Sequence, residues 1–380
     1  MTRYSLSIMN FYLLLLVLFA VFGCVFQESS YPPASEFKKE ENSSKLTVEM
    51  SDNNTSSLNV SVLSSQDTKQ LTSAVSPMYG PCQIFPNDNP WNTDISSYPV
   101  HPDSDKFLSR LNLTWRLQAF MIKPFNIVNS SQPKIPIYYT RYGRTSDPGP
   151  MPIPFNATFM QKKPGKNSFG QDKILTDNHL MVVDVDDCML YELWNISGPN
   201  QDGSWNAGSG AIYNLSSNQL RSYYSASAAA SGLPVFAGLI RSDEVKTGAI
   251  NHALSMTTTY TQEGFILPAI SYQGPYYPND PEFFHPYNPP MGLRLRLKQD
   301  YNISDLPLQA KIIATALKKY GAFVTDGSPG AGQMTGNPDP YWVFSDLTAL
   351  NSIPAEAFEV VYTGPIIKSE IQDGVPHEIP

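Results

Sequence analysis

HLMVVDVDDCMLYEL, residues 179–193, sets two apolar runs around a knot of three aspartates and one cysteine. A metal site, a catalytic cluster and a tight turn can all be spelled this way. A calcium loop needs more oxygen ligands than Asp184, Asp186 and Asp187 supply, and it needs a glycine that is missing here. Aspartate tolerates turn backbone and hydrogen-bonds its own neighbouring amides, so the knot is read as a turn centred on Asp186 and Asp187. The flanking runs then pair as a hairpin, with Val185 opposite Cys188, Val183 opposite Leu190, Met181 opposite Glu192 and His179 opposite Trp194. Side-chain alternation puts His179, Glu192 and Trp194 on one face, at the end of an otherwise apolar surface.

The same signature recurs outward from the hairpin. KIPIYYTR, GAIYNL, HALSMTTTY, GFILPAI and GLRLRLK have strand length, β-branched or aromatic enrichment and turn residues at their ends. Strict alternation in GLRLRLK separates Leu293, Leu295 and Leu297 from Arg294 and Arg296. SDLPLQAKIIATALKKYG breaks the pattern with a helical stripe through Leu308, Ile312 and Ala316 and through Ile313, Leu317 and Tyr320. Ser304 or Asp305 is available there as N-cap, with Gly321 at the C-terminal end. GSPGAGQMTGNPDP reads as a Gly-rich loop, and LTALNSIPAEAFEVV as a short helix before a last apolar segment. The expected fold is mainly β, sandwich or jelly-roll-like, with one amphipathic C-terminal helix.

The N-terminal part reads differently. Arg3 precedes an apolar run from Phe11 to Phe22 that ends at Gly23-Cys24, so residues 1–26 are expected to be a signal peptide, a lipoprotein signal or a membrane anchor. Residues 27–76 are rich in Ser, Thr, Asn, Glu and Lys without sustained period, a disordered tether in composition. One globular domain is expected over 77–365 and a tail over 366–380. N-x-S/T sequons at Asn42, Asn53, Asn54, Asn59, Asn112, Asn129, Asn156, Asn195, Asn214 and Asn302 support an extracellular placement and a glycoprotein. In that compartment Cys82 and Cys188 are expected to form a disulfide, the alternative being two buried thiols. The net charge of −8, without clustered Lys and Arg, argues against nucleic acid as a partner.

IFPNDNPWNTDISSYPV, GAINHAL, PPMGLRLRLK and ALKKYGAFVTD, in that order over roughly residues 80–362, resemble a family of secreted bacterial and archaeal proteins. The resemblance implies a single extracytoplasmic domain. It brings no assigned activity, so no catalytic residue is carried over from it.

Chemistry is read from the residues instead. Glu192, raised by apolar neighbours and held by His179, can serve as general acid or base, or as a buried pair closing the core. Within RSDEVKTGAINHAL, Asp243 and His252 form a second acid–histidine set, although Asp243 also suits a helix N-cap. The Pro-rich loop SYQGPYYPNDPEFFHPYNPPMG offers Tyr276, Tyr277 and His285 as ligand-binding groups, or else as a cover on the sheet. Trp194 and Trp205 are expected as stacking platforms. No phosphate loop, dinucleotide fingerprint, zinc-protease motif or nucleophile elbow occurs, and neither a cofactor nor a metal is expected. The leading expectation is an extracellular glycoside hydrolase or polysaccharide lyase acting on a polysaccharide or envelope glycan. Its rival is a non-catalytic glycan-binding or cell-surface protein, with a membrane contact through the N-terminal segment in either case.

Overall fold

The computed structural model describes residues 78–161, 164–166, 172–174, 177–274, 280–368 and 377–378. Chain contacts divide the protein into Met1–Thr68 and Lys69–Pro380, and every described residue belongs to the second unit. The expected signal or anchor over 1–26 and tether over 27–76 lie outside the described residues, as do Tyr276 and Tyr277. Among the described residues no helix is long and apolar enough to cross a membrane. Strand outweighs helix, 27% against 17%, so the protein is mainly β.

Ten strands build the two principal sheets. They are β1 (Trp115–Met121), β2 (Asn126–Val128), β3 (His179–Asp184), β4 (Met189–Trp194), β5 (Ser209–Asn214), β6 (Leu254–Thr258), β7 (Arg294–Leu297), β8 (Ala322–Gly327), β9 (Ala331–Gly336) and β10 (Phe358–Val361). The smaller sheet runs β5-β4-β3-β2 and the larger β10-β7-β8-β6-β9-β1. Both are mixed: β2 lies parallel to β3, β6 to β8, and β9 to β1, while the remaining neighbours are antiparallel. Helices α1 (Ser104–Asn112), α2 (Ser242–Thr247), α3 (Leu308–Lys319) and α4 (Phe344–Ala349) complete the elements used below.

The hairpin of the opening stretch has the expected register, with His179 facing Trp194, Met181 facing Glu192 and Val183 facing Leu190. Asp184 closes its turn, where Oδ1 accepts the amides of Asp186 and Asp187 at 3.2 and 3.3 Å. The knot is therefore turn chemistry. Cys188 leaves the turn at a φ of 50° and is bonded to Cys82, 106 residues earlier, with the two Cα atoms 5.3 Å apart. In the loop-entropy model a closure of that length contributes about 4 kcal/mol.

All six residues of β3 are buried, because the small sheet is covered on both faces. Met181, Val183, Leu190, Ala211 and Tyr213 join the main apolar cluster, to which the larger sheet contributes Leu117, Met256, Leu295 and Val324. Leu180, Val182, Tyr191 and Leu193 turn the other way, onto Met151, Ile153 and Trp205. The first of these faces, on the cluster common to both sheets, is the one that carries His179 and Glu192.

Several expectations need correction. GFILPAI forms no strand; Phe265 makes only isolated bridges to Met291 and Ile367. AGQMTG, expected within a loop, is strand β9 of the larger sheet. Its glycines admit neighbours that a side chain would exclude: a Cβ on Gly336 would sit 2.4 Å from both the Ile240 carbonyl oxygen and the Met121 sulfur. Helix α1 was not anticipated; Phe107, Leu108 and Leu111 bury one side of its nine residues. Helix α3 is present as expected, but Pro307 stands at its N-cap, and the amide of Gln309 donates to Asp346 of α4 at 3.2 Å. Gly321 follows it at a φ of 64°, the left-handed turn that glycine adopts without strain.

The arginines of GLRLRLK are the largest departure from alternation, because both faces of β7 are buried. Arg294 is 1% exposed and donates to the carbonyls of Tyr320 and Pro90. Arg296 bonds the carbonyls of Ile95 and Tyr98 and pairs with Glu359. Ile95 in turn donates to the Lys319 carbonyl at 2.9 Å. The motifs around residues 84–98, 292–298 and 316–321 are thus fastened to one another.

Candidate functional site

His179 opens β3 and Glu192 sits one residue pair inside it on β4, both facing the common core. His179 is 4% exposed, and its Nδ1 has no hydrogen-bond partner among the described residues. Burial holds its pKa well below the ordinary histidine value, and the nearby Lys123 pushes in the same direction. Glu192 is wholly buried, and its two oxygens accept the amides of Val235 and Phe236 at 3.0 and 2.8 Å. Burial raises its pKa to about 7, against the pull of those amides and of Lys123 and Arg221.

The larger sheet brings two further groups to the same place. Lys123 follows β1, its amide bonded to the Gly336 carbonyl at 3.0 Å. Burial lowers its pKa, while Asp326, Glu192 and Asp177 attract the ammonium and oppose that shift. Asp326 lies near the end of β8, half-buried, and accepts the Gly327 amide at 2.9 Å. Burial raises its pKa to about 6, with Lys123 and the amides of Gly327 and Ala230 working against the rise. Asp177 stands exposed at the edge of this group. Glu192 and Asp326 therefore fasten, from different sheets, the nearly continuous buried segment Ala228–Ser242.

Trp194 is half-buried at this end of the hairpin. The Arg141 guanidinium lies 5.6 Å from its ring centre and the Tyr142 ring 6.2 Å away. Gly208 is required beneath it, since a Cβ there would come within 2.6 Å of the indole. Trp205 is 6% exposed and packs edge-on against Phe159 at 5.9 Å, so it belongs to the core rather than to an open platform.

The second acid–histidine set is arranged differently from its sequence reading. Arg241 takes the N-cap position of α2 without a side-chain cap, and Asp243 is exposed in the first turn. His252 pairs with Glu244, not Asp243: Nε2 lies 3.0 Å from Glu244 Oε2 and Nδ1 2.7 Å from the Ala253 carbonyl. Glu244 also holds the fully buried Arg241 at 2.9 Å, and Arg241 donates to the Phe236 carbonyl. This network ties α2 to the segment that Glu192 fastens.

The described part of the aromatic loop is clipped onto α1. Glu282 pairs with Arg110 at 2.6 Å, Tyr287 accepts from Lys106 at 2.9 Å, and Phe283 packs on Tyr260 at 5.1 Å. His285 accepts the Tyr287 amide at 3.2 Å and so shapes the loop. An open cavity of about 600 Å³ lies elsewhere, between the end of β1 and residues 338–347. Phe120, Trp342 and Phe344 give it rings; the Trp342 Nε1–H is committed to the Asn337 carbonyl at 2.7 Å.

Glu192 and His179 were legible as neighbours from the hairpin alone. Lys123 and Asp326 were not, because neither stands in a motif of chemistry and the sheet order that brings them in is not local. Among the described residues no three His, Cys, Asp or Glu side chains gather to hold a metal ion. No protein-family model, curated protein or solved structure matches the chain.

Proposed function

We propose that the protein is an extracellular carbohydrate-active enzyme, a glycoside hydrolase or polysaccharide lyase, on a fold read as a β-sandwich. One observation carries this reading: His179 and Glu192 from one sheet meet Lys123 and Asp326 from the other, and burial displaces these acids and bases in opposite directions. Paired groups with displaced titration at the end of an apolar face are the physical signature of acid–base chemistry. The roles differ from those expected of the sequence. Glu192 has both oxygens engaged by amides and no exposure, so it positions the segment Ala228–Ser242. Asp326, half-buried and with its pKa raised by burial to about 6, is the group placed to exchange a proton with substrate. Lys123 neutralises charge beside it, Asp177 is the accessible second carboxylate, and Trp194 with Tyr142 forms the stacking edge. The sequons and the disulfide support the extracellular setting.

The test is release of reducing ends and unsaturated products from a panel of polysaccharides by the full chain, beside Asp326→Asn and Lys123→Met. Activity that both substitutions abolish, with thermal unfolding unchanged, supports the assignment; activity that survives Asp326→Asn rejects it. A second reading, a non-catalytic glycan-binding protein, is favoured by the open cavity lined by Phe120, Trp342 and Phe344. It predicts no product from any polysaccharide and retention on a glycan in affinity electrophoresis, lost in Phe344→Ala.

A further inference from the structure

Six of the sequons lie in described parts of the fold, and their asparagines are not equivalent. Asn129, Asn214 and Asn302 are exposed. Each folds its own sequon into an Asx turn: the side-chain oxygen accepts the amide two residues on, from Ser131 at 3.1 Å, from Ser216 at 2.9 Å and from Ser304 at 2.9 Å. The turn engages the side-chain oxygen and leaves Nδ2 as the group of an exposed asparagine that stands two residues before the sequon hydroxyl. Asn112 is committed elsewhere, its Nδ2 donating to Glu356 at 2.6 Å. Asn195 is half-buried at a φ of 52°, with its Cβ 3.2 Å from where a side chain on Gly208 would begin. Asn156 makes no such turn, since the Thr158 amide and hydroxyl both donate to Asn126.

We propose that Asn129, Asn214 and Asn302 carry N-linked oligosaccharides. The donor class is a lipid-pyrophosphate-linked oligosaccharide. Nδ2 forms a bond to the anomeric carbon, the bond from that carbon to the phosphate oxygen breaks, and the lipid pyrophosphate leaves with the electron pair. The proton lost from Nδ2 passes to a base of the transferring enzyme.

Their placement has a consequence for the rest of the molecule. Val128, just before Asn129, pairs with Asp184, and Asn214 pairs with Met189. Two of the glycans therefore flank the turn that bears the disulfide, at the end of the small sheet remote from His179 and Trp194.

The experiment uses the full-length protein recovered from cells that produce it naturally. Its intact mass is measured first, and its peptides are then deglycosylated enzymatically in ¹⁸O-water to mark each occupied asparagine. The expected result is ¹⁸O incorporation at Asn129, Asn214 and Asn302. Asn→Gln at each position removes one glycan step from the intact mass, and Ser131→Ala, Ser216→Ala and Ser304→Ala remove the same steps while keeping the asparagine. An intact mass equal to that of the bare chain overturns the proposal, and so does incorporation at Asn112 or Asn195 in place of these three.

Discussion

Arg294 and Lys123 are both cations drawn out of water, and they are solved in opposite ways. Arg294 meets main-chain carbonyls of fixed position, Tyr320 at 2.8 and 2.5 Å and Pro90 at 2.9 Å, with the Phe323 ring 3.8 Å from its guanidinium carbon. Burial lowers its pKa to about 9, which leaves it charged at neutral pH. Lys123 instead shares its surroundings with the carboxyl groups of Asp326, Glu192 and Asp177, of which burial raises Asp326 to about 6 and Glu192 to about 7. The fork geometry of arginine suits carbonyls that never change charge, so the first arrangement fixes the fold. A lysine among carboxyls has several protonation states of similar energy, and that suits chemistry. The difference separates a fastener from the group proposed to react more sharply than exposure alone, which is 1% for Arg294 and intermediate for Lys123.

The largest effect should come from the fastener. Arg294→Met strips the donors from two buried carbonyls, and each unsatisfied group costs about 1–3 kcal/mol. A loss of about 4 kcal/mol, or roughly 10 °C in thermal unfolding, is expected, with Arg294→Lys restoring only part of it. A variant as stable as the wild type would remove the distinction between the two regions.

Next in size is a pH effect at Glu192. Its pKa is raised from 4.5 to about 7 in the fold, so its contribution is fully present below pH 4.5 and lost as pH rises through 7. His179 acts in the opposite sense: its pKa is lowered, so the unfolded chain takes up a proton first and stability falls as pH drops below 6.5. In the wild type the two oppose each other. Glu192→Gln removes one side of that balance, and the stability gap to wild type should widen by about 3 kcal/mol between pH 7 and pH 4.5 in urea titrations. A gap that stays constant across that range would mean Glu192 titrates as an ordinary carboxylate.

Smaller changes are expected at the group proposed to react. Lys123→Met and Asp326→Asn should each alter stability by no more than about 1 kcal/mol while eliminating product release, because Lys123 bonds the chain through its amide and asparagine keeps a carbonyl oxygen for the amides that Asp326 accepts. Phe344, 81% exposed, should be the least consequential for stability. Phe344→Ala is expected within about 0.5 kcal/mol of wild type by thermal unfolding, whatever it does to glycan retention.

The hairpin register was legible because period-two alternation and an Asp-rich turn act over fifteen residues. It placed His179, Glu192 and Trp194 together before any fold was known. What escaped was assembled by non-local order. Strand β6 inserts between β8 and β9, and β1 joins the far side of β9, which carries Lys123 to a group whose other members lie 54 to 203 residues further along. GLRLRLK was misleading in a physical way, because alternation of charge and leucine ordinarily marks one wet face. Here a second layer of chain supplied carbonyls to the arginines instead. Strand β9 was hidden by its glycines, which depress strand propensity where close approach demands them.

The Cys82–Cys188 bond also has a mechanical meaning. Tension applied to the chain ahead of Met78 reaches a covalent link within a few residues, at Cys82. Once the two-pair Met78–Gln83 ladder has opened, the load passes from Cys82 into the turn between β3 and β4 instead of into the segment that follows Gln83. A pull from the N-terminal side is thereby taken up at the shared turn by both strands of the hairpin together, so the ladder between them is not itself drawn apart. The end of the hairpin that carries His179 and Trp194 lies away from the point of loading.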